Sequence, residues 1–112
     1  CHYGPALGGN SFATLGAQEP YTTNDLGRYA VTGEDADLHV FKVPSLRNVA
    51  VTGPYLHDGS IPTMESMVQL MVRHQLGKQL TSDQIDTMVI FLRSLTGVLP
   101  AEYTAHPELP DM

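Results

Sequence analysis

Residues 63–77, Thr63-Met64-Glu65-Ser66-Met67-Val68-Gln69-Leu70-Met71-Val72-Arg73-His74-Gln75-Leu76-Gly77, carry the clearest structural signal in the chain. Met64, Met67, Val68 and Met71 recur at the spacing of one face of an amphipathic helix. Thr63 suits the N-cap, Glu65 meets the positive end of the helix dipole, and Gly77 predicts the stop. A second helix follows, opened by a capping box of Thr81 and Gln84. Its Ile85, Met88, Val89 and Leu92 repeat the same spacing, with Gly97 as the expected stop. Residues 63–97 contain no proline, and their only glycines are Gly77 and Gly97.

Outward from this stretch the pattern changes. Residues 1–62 hold most of the glycines and prolines and show no long helical period. Ala6 to Gly9 reads as a turn, and the alternation of His39-Val40-Phe41-Lys42-Val43 as a short strand stopped by Pro44. A short helix from Pro44 to Val49 is an equal alternative. On the other side, Pro100, Pro107 and Pro110 predict an extended surface tail over residues 101–112. Some sixty residues with so little regular structure are unusual in a compact domain. Tyr3, Phe12, Tyr21, Tyr29, Phe41 and Tyr55 are spread through them, which argues against disorder. A large apolar cofactor packing the middle resolves the tension. The fold class expected is mainly α, with few short helices and long ordered loops.

The chain has 112 residues, enough for one domain. Its net charge of −6 argues against a nucleic-acid surface and suits docking of a basic partner. No apolar run reaches the ~18 residues of a membrane helix. The single cysteine, Cys1, excludes an internal disulfide and a four-cysteine zinc site. A chain opening on Cys1-His2 is expected to be a piece of something longer.

Cys1-His2 makes a poor nucleophile pair, because adjacent side chains point apart and nothing orients the base. The same two residues are the last two letters of C-x-x-C-H, in which two thiols attach a haem and the histidine ligates its iron. A second ligand is then needed. Met71 supplies a soft thioether that raises the potential opposite histidine. His74, three residues on, is a rival that the pattern alone does not separate from it. Met64, Met67 and Met71 also suit adaptable core packing. His57-Asp58-Gly59 reads as a turn with a possible acid–base pair. His39 and His106 read as surface residues. Glu34-Asp35-Ala36-Asp37 lacks the spacing of an EF-hand and reads as a solvated acidic turn. No Walker loop, HExxH or GxSxG occurs.

The whole string is more specific than its parts. Residues 1–12, from Cys1-His2-Tyr3-Gly4-Pro5 to Ser11-Phe12, resemble the segment that closes the haem-attachment motif of bacterial di-haem cytochrome c peroxidases. Gly27-Arg28-Tyr29-Ala30-Val31-Thr32-Gly33, Phe41-Lys42-Val43-Pro44-Ser45-Leu46-Arg47-Asn48-Val49-Ala50 and Thr52-Gly53-Pro54-Tyr55-Leu56-His57-Asp58-Gly59-Ser60 follow in the family's order. The two helices and Leu95-Thr96-Gly97 complete a resemblance covering residues 1 to about 100.

The resemblance implies a C-terminal cytochrome-c-like domain over residues 1–100, truncated inside C-x-x-C-H, followed by the tail at 101–112. It implies covalent haem c, with Cys1 as the second thioether cysteine, His2 as proximal ligand and Met71, not His74, as distal ligand. MauG-like relatives carry a tyrosine at that distal place. The implied role is the high-potential, electron-accepting haem domain of an enzyme that reduces hydrogen peroxide to water. A small redox donor, a cytochrome c or a cupredoxin, supplies the electrons, and the peroxidatic haem sits in an N-terminal domain outside this chain. The family places a calcium ion between the domains, with Thr52 and Pro54 offering backbone carbonyls. His57 is expected to support the haem environment from the segment facing that interface. A periplasmic location and a homodimer are implied as well. The alternatives are a MauG-like di-haem oxidase, a stand-alone mono-haem c-type electron carrier, and a haem-free interaction domain.

Overall fold

A computed structural model describes residues 1–107. Two long helices, two single helical turns, a small antiparallel sheet and long ordered loops make up the described residues. Strand β1 (Ser11–Thr14) pairs with β2 (Val40–Val43), and Ser11 lies opposite Val43, Thr14 opposite Val40. Between them lie a one-turn helix, α1 (Tyr29–Thr32), and a 3₁₀ turn at Asp35–Asp37. Another 3₁₀ turn at Val49–Val51 precedes the long helices α2 (Met64–Leu76) and α3 (Ser82–Ser94). A last turn, α4 (Ala101–Thr104), closes the described part.

The helix signals act as their chemistry requires. Thr63 Oγ1 accepts from the Ser66 N–H, 3.2 Å away, and Gly77 caps α2 in the left-handed conformation. Both halves of the Thr81–Gln84 capping box form. Helix α3 ends at Ser94, ahead of Gly97, because Leu95 takes the C-cap and its N–H bonds back to Leu92.

The core runs between the two helices. Met64, Val68 and Val72 of α2 are buried against Ile85 and Val89 of α3, with Val49, Ala50, Tyr55, Leu80 and Leu92 packed alongside. The buried stripe of α2 thus steps by four residues. Met67 and Met71, expected on that stripe, are only half-buried on the neighbouring face. Val72 takes the inward place instead. Val40 and Val43, at the two ends of β2, are also buried, on opposite faces of the strand.

Two other expectations are corrected. The strand forms over Val40–Val43 without His39, whose φ is 55°, and the helix suggested over 44–49 does not form; a turn from Leu46 to Val49, with Asn48 at φ 58°, leads into the 3₁₀ turn at Val49–Val51. Strand β1 has no early signal, since its four residues are too short for periodicity to register. Residues 101–104 of the expected extended tail form one helical turn, with Pro100 at its N-cap and Glu102 in its first turn. Residues 108–112 of that tail lie outside the described part.

The packing is thin. Among the described residues no large side chain is fully buried, and 8286 Å² of surface is exposed. A folded monomer of this mass exposes about 6,100 Å². Tyr3, Phe12, Leu26, Leu38, Met88 and Phe91 are among the exposed apolar residues.

Val89→Ala is expected to cost about 2 kcal/mol, from lost methyl burial plus a residual cavity. Thr81→Ala is expected to cost about 1 kcal/mol, through loss of the cap. Faster hydrogen exchange of the α3 amides in the intact protein measures both.

Candidate prosthetic-group site

Cys1 and His2 are exposed at the start of the chain. His2 Nδ1 lies 3.0 Å from the Pro44 carbonyl oxygen. A carbonyl can only accept, so Nδ1 carries the proton and Nε2 of the neutral ring keeps its lone pair. A metal-ligating imidazole is oriented in this way by its outer partner. Gly8 makes the approach possible. Its φ is 120°, and a Cβ there would overlap the Pro44 carbonyl and come within 3.1 Å of His2 Nδ1. The Gly9 N–H donates to the Val43 carbonyl (2.9 Å) and joins the same turn to the end of β2.

Met71 sits on α2, and one turn further Gln75 fastens that helix to β1. Gln75 Oε1 accepts from the Gly16 and Ala17 N–H groups (2.9 and 3.0 Å), while its Nε2 donates to the Thr14 carbonyl (3.0 Å). Since β1 pairs with β2 and Pro44 follows β2, one bonded path leads from the Met71 helix to His2. His74 is built into the same junction. Its Nδ1 donates to the Glu19 carbonyl (2.8 Å), and its ring meets Tyr21 edge-on at 5.2 Å. Beside it Arg73 Nε donates to Glu19 Oε1 at 2.7 Å. That bond holds the Glu19 carboxyl below its usual range and raises the Arg73 guanidinium in turn.

A third cluster escaped sequence reasoning. His57 Nε2 donates to Asp25 Oδ2 at 2.6 Å, and the ring stacks on Phe41 at 4.9 Å. The Gly27 N–H donates to Asp25 Oδ1 (2.7 Å), and His39 Nδ1 donates to the Asp25 carbonyl (3.1 Å). Asp25, 32 residues away in sequence, therefore replaces Asp58 as the partner of His57. Asp58 keeps the turn role instead, accepting from the Ser60 N–H. His39 is half-buried, contrary to the surface expectation, because β2 carries it against residues 25–26. His57, His39 and Phe41 are each visible in the sequence, but nothing there singles out Asp25. The Gly27 N–H, together with the His57 bond, holds the Asp25 carboxyl below the usual carboxylate range.

Glu34–Asp37 behaves as the expected acidic turn, with Asp37 paired to Arg28 at 3.1 Å. Thr52 and Pro54 are exposed, in the loop after the Val49–Val51 turn. Among the described residues no three His, Cys, Asp or Glu side chains gather as a metal site. A recess of about 570 Å³ lies between residues 50–55 and the start of α2, lined by Pro54, Thr63, Glu65 and Arg93, away from Cys1, His2 and Met71.

Taken as residue types, these groups suit a large apolar group carrying its own metal better than a bare cation, for which no cluster gathers among the described residues. They offer an oriented imidazole with an adjacent thiol, a half-buried thioether, and apolar side chains that the chain leaves uncovered.

Comparison with known proteins agrees. No family model matches the chain. It is 47% identical to the cytochrome c551 peroxidase of Nitrosomonas europaea over 102 residues, 89% of this chain and 30% of that protein. It is 48% identical to cytochrome c peroxidase Ccp of Escherichia coli over 103 residues, 88% of this chain and 22% of that protein. The chain belongs to the bacterial cytochrome c peroxidase and MauG superfamily. Within this superfamily it is 30% identical to the methylamine utilization protein MauG of Methylophilus methylotrophus over 109 residues, 87% of this chain and 31% of that protein. A solved MauG-like protein associated with microbial copper homeostasis superposes with a TM-score of 0.63 at 28% identity, covering 76% of this chain and 34% of that one. The chain thus spans between about a fifth and a third of these superfamily members.

The Asp25 carboxyl has a depressed folded value, so its contribution to stability is complete above the unfolded value near 3.9. It is lost as pH falls through the folded value. Asp25→Asn is expected to lower the melting temperature of the intact protein at pH 7, and the difference should shrink as pH falls below the unfolded carboxylate value and vanish below the depressed folded one.

Proposed function

We propose that this chain is the high-potential haem domain of a di-haem cytochrome c peroxidase, accepting electrons for the reduction of hydrogen peroxide to water. The observation that carries the reading is the His2 ring, fixed at Nδ1 by Pro44 with Nε2 free, directly beside the thiol of Cys1. The kinship with cytochrome c peroxidases supports it. Cys1 forms one thioether bond of a haem c, His2 is the proximal ligand and Met71 the distal one. When bound, the haem supplies one-electron chemistry at its iron. Pro44 keeps Nδ1 protonated, so Nε2 stays a σ-donor of fixed direction. The neutral thioether of Met71 favours the ferrous state and raises the potential. His57, held by Asp25 and Phe41, buttresses the surrounding loops and takes no part in peroxide cleavage.

The electron donor in this reading is a small cytochrome c or cupredoxin, and the acceptor is a peroxidatic haem domain N-terminal to residues 1–100. Thr52 and Pro54 present backbone carbonyls to a calcium ion between the domains; with no carboxylate cluster beside them, the remaining ligands come from the other domain and water. The enzyme is periplasmic and homodimeric. No helix among the described residues is long and apolar enough to cross a membrane. The MauG-like oxidase is the second reading, favoured by the structural neighbour and weakened by a methionine at residue 71.

The test is spectroscopic, in the full-length haem-loaded protein. Met71→His is expected to abolish the methionine–iron charge-transfer band and lower the midpoint potential, whereas His74→Ala should retain the band. An unchanged spectrum in Met71→His would sink the assignment.

A further inference from the structure

The turn that follows Cys1-His2 is bolted to the segment that follows Pro44, residue by residue. Three successive carbonyls, of Pro5, Ala6 and Leu7, accept hydrogen bonds from three successive residues, Arg47, Ser45 and Leu46. Ser45 Oγ donates to Ala6 (2.5 Å) and the Leu46 N–H to Leu7 (3.1 Å). Arg47 contributes two donors to one acceptor: Nε and Nη2 lie 3.1 and 2.9 Å from the Pro5 oxygen. The Arg47 N–H in turn donates to Ser45 Oγ (3.1 Å) and fixes that hydroxyl.

Two features make the use of Arg47 informative. Arg28, Arg73 and Arg93 each pair with a carboxylate, of Asp37, Glu19 and Glu65. Arg47 instead commits its rigid fork to a main-chain carbonyl. The carbonyl it holds also opens a strained stretch. Leu7 has φ 50° and Gly8 φ 120°, and a side chain in the left-handed region persists only where its surroundings over-determine it. Relaxation of that turn would move Gly8, whose lack of a Cβ is what lets the Pro44 carbonyl reach His2.

We propose that Arg47 is the positioning residue for the His2 ring. By clamping the Pro5 carbonyl, its guanidinium keeps residues 5–8 in register with Pro44, so the Nδ1–H···O=C bond holds the ring in one orientation. Arg47 itself touches neither reacting atoms nor ligand. The inference rests on the reading of His2 as an iron ligand.

The experiment uses the full-length, haem-loaded protein with Arg47→Lys and Arg47→Met. Electron paramagnetic resonance g-values of the ferric low-spin haem report the orientation of its axial imidazole. Arg47→Lys keeps the charge and the aliphatic stem but replaces the fork with a single ammonium. It is expected to retain covalent haem and the methionine–iron band, yet shift the g-values and the midpoint potential. Arg47→Met should shift both further, while Val89→Ala, a destabilising change in α3, should leave both at their native values. Native g-values and potential in Arg47→Lys overturn the proposal, and this variant decides the matter if Arg47→Met does not fold. Should His2→Ala leave that haem's spectrum intact, the ligand reading itself fails. A His2-dependent spectrum with unmoved Arg47→Lys values fails the clamp alone.

Discussion

The hydrogen bond from His2 Nδ1 to the Pro44 carbonyl is the constraint around which the first half of the chain is arranged. It joins residues 42 positions apart, so the loops between must return the chain to its beginning. The sheet does this. Antiparallel pairing of β1 with β2 brings Val43 opposite Ser11, and Pro44 then emerges beside the opening turn. Proline suits that point, since it ends the strand without leaving an N–H unpaired and still offers its carbonyl. Gly8 is the matching concession on the other side, where any side chain would occupy the space of that carbonyl.

A chain built this way gives up core volume for position. The buried residues divide into a helix pair around Val68, Val72, Ile85 and Val89 and two separate valines of β2, Val40 and Val43. Met67, Met71 and His74 border the helix pair, half-buried. The loops are held mainly by directional bonds, such as the Gln75 contacts with Thr14, Gly16 and Ala17 and the Asn48 Oδ1 bond to the Gly97 N–H at 2.8 Å. Each such bond contributes only about 1 kcal/mol net. A group binding the folded chain and not the unfolded one adds stability directly, by mass action. The shape of the chain and its need for a prosthetic group are therefore one property.

Helices α2 and α3 were legible because their signals are local: a cap and a period in both, and in α2 a glycine stop as well. Even there the periodicity admitted two adjacent faces, and only packing against Ile85 and Val89 decided that Val72 points inward while Met71 does not. That ambiguity has a physical origin. Residues three and four apart both lie near one side of a helix, so methionines at 64, 67 and 71 cannot reveal which partner each meets. The Asp25–His57 bond was invisible for a different reason. His57 has a carboxylate next to it in Asp58, yet neighbours on a bend diverge, and the accessible partner comes from a loop 32 residues earlier. Cys1, His2 and Met71 stand out as candidates from two letters of a motif and a thioether, and the resemblance of the whole string then singles them out over His74.

Tautomers narrow the histidines less than they first suggest. His2, His39 and His74 each donate from Nδ1 to a carbonyl, of Pro44, Asp25 and Glu19. All three therefore present an Nε2 lone pair, and by that criterion all three are ligand-competent. His57 is the exception, spending Nε2 on a carboxylate. What separates His2 is covalent: it alone follows a thiol. In the proposed reading, a thioether tether would turn ligand binding into an intramolecular event with a high effective concentration, which would favour the neighbouring imidazole. The same tether would let a weak ligand such as methionine suffice as the second ligand, because geometry and not intrinsic affinity would then select the partner. His74 is locked by Glu19 and Tyr21 into holding the loop at residues 17–21. Under the proposed assignment Met71, unbranched and flexible, would be the less costly of the two side chains to present as a ligand.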